Sequence, residues 1–199
     1  MKILIVEGEE EKLQRVMDAV NGLGKGIFMK GFEDGEAVIR HFSMGNRKNG
    51  SRVRIVTFGN FNVFADGKPV EFRYSKAMEL FAILVDRRGK PADTEMIREL
   101  LWQDSEPGKN HSSYLSLLKK DMTESFLKRG IADIFFQDEN GLALITDKVD
   151  CDFYDYLDGA EGTADFDGIY MEQYSWAEPT TGELTSIAQM RKEKSGLIL

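Results

Sequence analysis

The chain has 199 residues, 42% of them hydrophobic, enough to bury one or two compact cores. Its single cysteine excludes an intrachain disulfide, its two histidines leave no donor set for a zinc site, and its net charge of -8 argues, taken whole, against a nucleic-acid partner. No apolar run approaches the roughly 20 residues of a membrane helix, and Met1 leads into a short strand instead of a basic region with an apolar signal core, so a cytoplasmic protein with no membrane contact is expected.

The acidity is local. Residues 138–183 hold thirteen Asp or Glu against one Lys, which leaves 25 basic and 21 acidic residues in the remainder, a balance of +4. In chain order, KILIVE (2–7) reads as an apolar strand, followed by Leu13, Val16, Met17, Val20 and Leu23 at helical spacing. The glycines of NGLGKG end that helix, IFMKGF supplies a second strand, and GEAVIRHF a short second helix. Such a βαβα unit, placed at 1–45, implies parallel strands joined by a right-handed crossover, with too few elements to cover both faces of a sheet. SMGNRKNGSR reads as a linker, with the boundary placed at 46–52.

From Val53 the pattern changes to short strands, VRIVTFG, FNVFA and PVEF, with Asp66-Gly67 as a tight-turn signal between the last two. Ser75 is the expected cap of a first helix carrying Ala77, Phe81, Leu84 and Val85 inward and ending at Gly89. Asp93 or Thr94 caps a second, with Met96, Ile97, Leu100 and Leu101 inward, and SEPGKN breaks the pattern. The third helix spans about His111 to Arg129, with Tyr114, Leu115, Leu118, Met122 and Phe126 as its buried stripe. DIFFQ and LALIT close the unit as a hairpin around Asn140-Gly141. CDFYDYLDG then reads as a short helix, FDGIYMEQYSWAE as aromatic packing into a small helical layer, and a last helix is expected at roughly 183–194, after Pro179 and TTG. The acidic segment reads as solvated surface without calcium-loop spacing, and Cys151 as a buried small residue, since no cation lies near enough in sequence to favour its thiolate.

A helix that enters a major groove needs one buried face, an opposite face of small or hydrogen-bonding side chains, and cations at its margins. In the third helix Ser112, Ser116, Lys119 and Thr123 follow at spacings of four, three and four, with Ser113 and Lys120 beside them. Lys109, His111, Lys128 and Arg129 add positive charge toward the ends, and residues 109–129 hold five Lys or Arg against Asp121 and Glu124. Periodicity alone is equally met by an ordinary amphipathic helix with a solvated basic face.

The blocks VRIVTFGNFNVFADGKPVEF, SKAMELFAILVDRRG, ELLW, SYLSLLKKDM and VDCDFYDYLDG together resemble the OmpR-type winged-helix domain of bacterial response regulators and transcriptional activators. FDGIYMEQYSWAE resembles the start of a bacterial transcriptional-activator domain, so the likeness covers roughly residues 53–184, and residues 1–43 look like the first half of a receiver. The fold class implied is α+β: a winged helix-turn-helix made of an antiparallel sheet, three helices and a hairpin (53–147), preceded by the partial receiver-like unit and followed by a short helical acidic region (148–199). The resemblance implies that the third helix reads duplex DNA, that the loop from Gln103 to Asn110 faces RNA polymerase or DNA, and that a wing near Gln137 to Gly141, with Asn140, enters a minor groove. The candidate DNA-binding residues are thus Lys109, His111, Ser112, Ser113, Ser116, Lys119, Lys120, Thr123 and Asn140. Family members often carry an arginine where this chain has Ser116, which forgoes a bidentate guanine contact worth about 1 to 3 kcal/mol of discrimination.

Receivers place an acidic pair after their first strand, where this chain reads Val6-Glu7-Gly8-Glu9, and an acceptor aspartate after a third strand that the chain does not reach before its linker. Asp34 belongs to the turn after the second strand, so neither a metal site nor an aspartyl-phosphate switch is expected. With no nucleophile-base pair or phosphate-cradling glycine loop, no catalytic residue and no cofactor are expected either. The reading is a DNA-binding regulator acting as a homodimer or with a related regulator; the alternative is an interaction module that binds no DNA and titrates a full-length regulator.

Overall fold

A computed structural model describes residues 2–6, 12, 28–32, 50–103, 111–160 and 165–196. The chain divides into two compact units, Met1–Asn46 and Arg47–Leu199. In the first, β1 (Lys2–Val6) pairs in parallel with β2 (Phe28–Phe32), Lys2 opposite Phe28 and Val6 opposite Phe32. Parallel pairing is what the predicted crossover requires. The helices expected beside these strands, together with Glu7, Gly8, Glu9 and Asp34, lie outside the described residues.

The second unit is mixed α and β. β3 (Val53–Val56), β4 (Asn62–Ala65) and β5 (Lys68–Pro69) form an antiparallel meander. Val53 and Ile55 face the core, as the alternation in VRIV demands. The β4–β5 turn is Asp66-Gly67 as expected, with φ of 51° and 78°, a left-handed pair that Asp tolerates and Gly adopts freely. A fourth strand, β8 (Val149–Cys151), arrives from far along the chain and pairs in parallel with β3, giving the order β5-β4-β3-β8.

α1 (Ser75–Asp86) buries Ala77, Leu80, Phe81, Ala82, Ile83, Leu84 and Val85. This is more than the single expected face, because α1 runs through the middle of the unit and a helix apolar on most sides must be covered on most sides. Ser75 does not cap it; Tyr74 takes that place without a side-chain bond. The Tyr74 N–H instead donates to Asp121 Oδ2 (3.0 Å), a carboxylate supplied by a helix 47 residues later. α2 (Thr94–Leu101) is capped by Asp93, whose carboxylate accepts from the Met96 N–H at 2.9 Å, and it buries Ile97 and Leu101 while Met96 and Leu100 are only partly covered. α3 (Ser112–Leu127) buries Leu115, Leu118, Met122 and Phe126.

The hairpin of β6 (Phe135–Asp138) and β7 (Gly141–Leu144) turns at Glu139-Asn140, one residue earlier than expected. Gly141 is already in the strand. It is glycine for another reason: φ is 133°, and a Cβ there would lie 2.3 Å from the Ala92 carbonyl oxygen. Ala92 and Leu142 exchange two backbone hydrogen bonds at 2.9 and 3.0 Å, so the short segment before α2 clamps the hairpin. The hairpin packs further on α1 and α3 through Phe135, whose ring stands 5.8 Å from Phe81 and 5.6 Å from Phe126, themselves 5.0 Å apart.

Residues set apart in sequence by their acidity join the same core. α4 (Asp152–Asp158) ends at left-handed Gly159, and α5 (Glu178–Gly196) follows a turn of 3-10 helix at Ser175–Ala177. The last helix therefore begins earlier than expected: Pro179 sits in its first turn, where a missing N–H costs nothing. Phe153, Tyr156, Phe166, Tyr170, Met171 and Leu184 extend the core laid down by α1 and β3.

Nor is the acidic segment merely solvated. Asp150, Asp152 and Asp155 are buried, and Arg54 pairs with Asp150 at 2.9 Å. Asp152 accepts from the N–H groups of Thr57 (2.9 Å), Phe58 (3.2 Å) and Phe153 (2.8 Å) and from the Thr57 hydroxyl (2.6 Å). Burial pushes its carboxyl upward while these donors pull it back. The phenols of Tyr154 and Tyr170 donate to Val85 O and Asp86 Oδ1 at the end of α1, at 2.7 and 3.0 Å. Arg88 ties the same end to Glu183 of α5.

Candidate nucleic-acid interface

α3 is fixed from within. Leu115, Leu118, Met122 and Phe126 recur at three and four residues, so one side of the helix is wedged into the core and its azimuth is set. Asp121 and Ser125 are also buried on this side, Asp121 holding the start of α1 and the Ser125 hydroxyl donating to the Asp121 carbonyl at 2.9 Å. Beyond its last turn, Arg52 donates to the carbonyls of Arg129 and Gly130, and Arg129 to that of Pro69 at 2.6 Å. Arg129 is therefore spent on the fold and is not a loose cation at the helix end.

Ser112, Ser113, Ser116 and Lys120 are exposed, and Lys119 and Thr123 are half-buried at the edge of this face. The Ser116 hydroxyl donates to Ser112 O at 3.1 Å, and the Thr123 hydroxyl lies 3.0 Å from the carbonyls of Lys119 and Lys120. Both hydroxyl protons are turned onto the helix, which leaves oxygen lone pairs to face outward. Lys120 lies 3.7 Å from Glu124, a loose exposed pair. Burial holds the Lys119 ammonium below its ordinary value.

Other candidates stand differently. His111 is the residue before α3 and stacks on Trp102, ring centroids 4.3 Å apart and planes within 4°. Its Nε2 is buried and meets no hydrogen-bond partner among the described residues, so the ring packs between the ends of α2 and α3. Lys109, with the loop after Gln103 up to Asn110, lies outside the described residues. Asn140 is at the exposed hairpin tip, but its N–H and its Nδ2 donate to the Asp138 carboxylate at 2.8 and 3.2 Å. Glu139 is exposed beside them, so the tip is acidic.

Three apolar residues of α3 were not foreseen in water: Tyr114, Leu117 and, in the last turn, Leu127. Tyr114, placed in the buried stripe by spacing, is 37% exposed, its ring edge-on to Tyr74 at 6.2 Å. Leu117 is 40% exposed. The signal for Leu117 was in the period itself, since it falls between Leu115 and Leu118 and cannot share their face.

Other candidate chemistries are met by packing. Cys151 is buried, and burial together with Asp152 pushes its thiol up, away from the reactive thiolate. Tyr170 is buried, Tyr174 stacks on Trp176 at 5.2 Å, and Trp176 Nε1 donates to Glu79 of α1 at 3.2 Å. Among the described residues no group of three His, Cys, Asp or Glu is placed to hold a metal, and no helix is long and apolar enough to cross a membrane.

This arrangement of helices, small sheets and clamped hairpin has a counterpart among solved structures. The fold is similar to that of EmbR from Mycobacterium tuberculosis, determined in complex with a low-affinity phosphopeptide. The TM-score is 0.54 at 19% identity, over 70% of this chain and 43% of the EmbR chain, so the chain spans under half of that protein. At this identity the likeness is one of fold. No family model matches the sequence, and no curated protein matches it.

Proposed function

We propose that the chain is a DNA-binding transcriptional regulator related to response regulators, in which residues 53–147 act as an OmpR-type winged helix-turn-helix. α2 and α3 are the helix pair, α3 is the reader, and the β6–β7 hairpin is the wing. The observation that carries this is α3 itself: a helix locked by one face into the core, presenting serines and a lysine to solvent beside a clamped hairpin. The fold likeness to EmbR supports the mixed α and β arrangement on which this reading rests. Residues 1–46 mediate association with a second copy or a related regulator, which matches readers of paired half-sites. RNA polymerase is the further partner, met by the loop between α2 and α3, and no aspartate phosphorylation takes part.

The test is duplex binding by the whole chain across a salt series. Log affinity should fall linearly with log salt, by roughly 0.9 per phosphate contacted. Replacing Lys119 and Lys120 together by Glu should abolish binding while the far-ultraviolet circular dichroism and the urea midpoint stay put; unchanged affinity removes α3 as the reader.

A second reading draws on the hairpin tip, where Asp138 and Glu139 would face phosphates they repel. On that reading the chain binds no DNA and titrates a full-length regulator. Capture of such a regulator with no duplex shift at low salt would select it. Ser112, Ser113, Ser116 and Lys120 are exposed, while the described residues of the acidic region pack on α1 and β3.

A further inference from the structure

Resting on the reading of α3 as the DNA reader, we infer that its exposed face selects A·T pairs, with Leu117 as a thymine-methyl contact and Ser116 as an acceptor for a base amine. Three observations lead there. The N-terminal half of α3, the half that reaches bases in helix-turn-helix readers, exposes Ser112, Ser113, Tyr114, Ser116 and Leu117 and no Arg, Lys, Asn or Gln, Lys119 being half-buried. Among the described residues, that half therefore presents none of the bidentate side chains that read guanine or adenine. Leu117 leaves 40% of its surface in water, one turn from Ser113 and adjacent to Ser116. The Ser116 proton is committed to Ser112 O at 3.1 Å, which makes its oxygen an acceptor toward whatever the helix meets.

In the major groove only thymine carries an apolar group, its C5 methyl, and only adenine N6 and cytosine N4 donate hydrogen bonds. An exposed leucine beside a hydroxyl acceptor is complementary to a methyl beside an amine. A·T steps present that pair from their own two bases. G·C pairs offer the amine without the methyl, so Leu117 there would lie against polar edges and strand its apolar surface. Lys120, on the next turn of the same face, supplies charge to the flanking phosphates without selecting a base.

Removal of a methyl from the target tests this. Duplexes are selected from a random pool with the full chain, and the best is remade with deoxyuridine for thymine at each position in turn. The expected result is an A·T-rich core in which one or two uracil replacements weaken binding about fourfold each, the equivalent of one CH2 left unburied. Leu117→Ala should weaken the thymine duplex by a similar factor and bind the uracil duplex no worse than the parent does. Replacing a G·C pair in a weak site by one with 5-methylcytosine should restore part of the affinity in the parent and not in Leu117→Ala. Equal affinity of the parent for thymine and uracil duplexes, or an equal loss by Leu117→Ala on both, overturns the inference while duplex binding itself stands. Absence of any duplex binding overturns the reading beneath it, and Leu117→Ala losing capture of a related regulator in that case assigns the leucine to a protein contact.

Discussion

The two flanks of α1 are built on opposite terms. On one flank the segment after Val149 supplies Phe153, Tyr154, Tyr170 and Trp176, and their polar atoms are bonded inward to Val85 O, Asp86 and Glu79. On the other, α3 buries Leu115, Leu118, Met122 and Phe126 with Asp121 and Ser125 beside them and leaves serines, Leu117 and Lys120 outside. The first flank holds three of its carboxylates, Asp150, Asp152 and Asp155, under cover; the second keeps hydroxyls and a lysine in water, although the first belongs to the acidic part of the chain and the second to the basic part. Composition thus says little about exposure here. Partners decide it: Arg54, Thr57 and Phe58 receive the acids, and nothing in the core receives the outer edge of α3.

If this contrast is right, substitutions on the closed flank change stability and substitutions on the open one change affinity. The largest effect is expected from Asp152→Ala, which strands the N–H groups of Thr57, Phe58 and Phe153 in the interior and should cost about 3 to 5 kcal/mol in urea denaturation. A cost below about 1 kcal/mol would mean the closed flank is held by its aromatics alone. Gly141→Ala is next: its methyl would meet the Ala92 carbonyl, so the hairpin must move, at about 1 to 3 kcal/mol, and duplex affinity should fall with it. Stability lost with affinity intact would show that the wing does not touch DNA. The smallest effect is expected from Glu139→Gln at the exposed tip, which leaves the urea midpoint unchanged and raises duplex affinity a few-fold at low salt, vanishing at high salt. No gain at low salt would take the tip away from the phosphates.

Local chemistry made much of this legible. Asp66-Gly67 turns where it should because two successive left-handed residues are a local demand that Asp and Gly meet, and Asp93 caps α2 from within its own segment. What was not legible depends on residues brought together from far apart. Gly141 looked like half of an Asn-Gly turn and is instead the gap that admits Ala92, 49 residues earlier. Ser75 had the right chemistry for a cap, yet Asp121 of α3 reached the preceding N–H from 47 residues away. His111 counted as a cation by type and is a ring on Trp102 by position. Of the proposed interface, the serines and Lys120 lie where periodicity put them, while Tyr114, which spacing put in the buried stripe, stands partly in water, as does Leu117, which lies outside that stripe.

The parallel pairing of β3 with β8 has a consequence for synthesis. Ile55 finds its partner only at Cys151, so the sheet keeps an open edge until nearly a hundred further residues have been made. A contact of such sequence separation forms late and slows folding. Until then β3 is an unpaired strand edge, the kind of surface that invites pairing with a neighbouring chain. The nascent protein is therefore most exposed to aggregation after α1, α2 and α3 have been made and before Val149–Cys151 clears the ribosome.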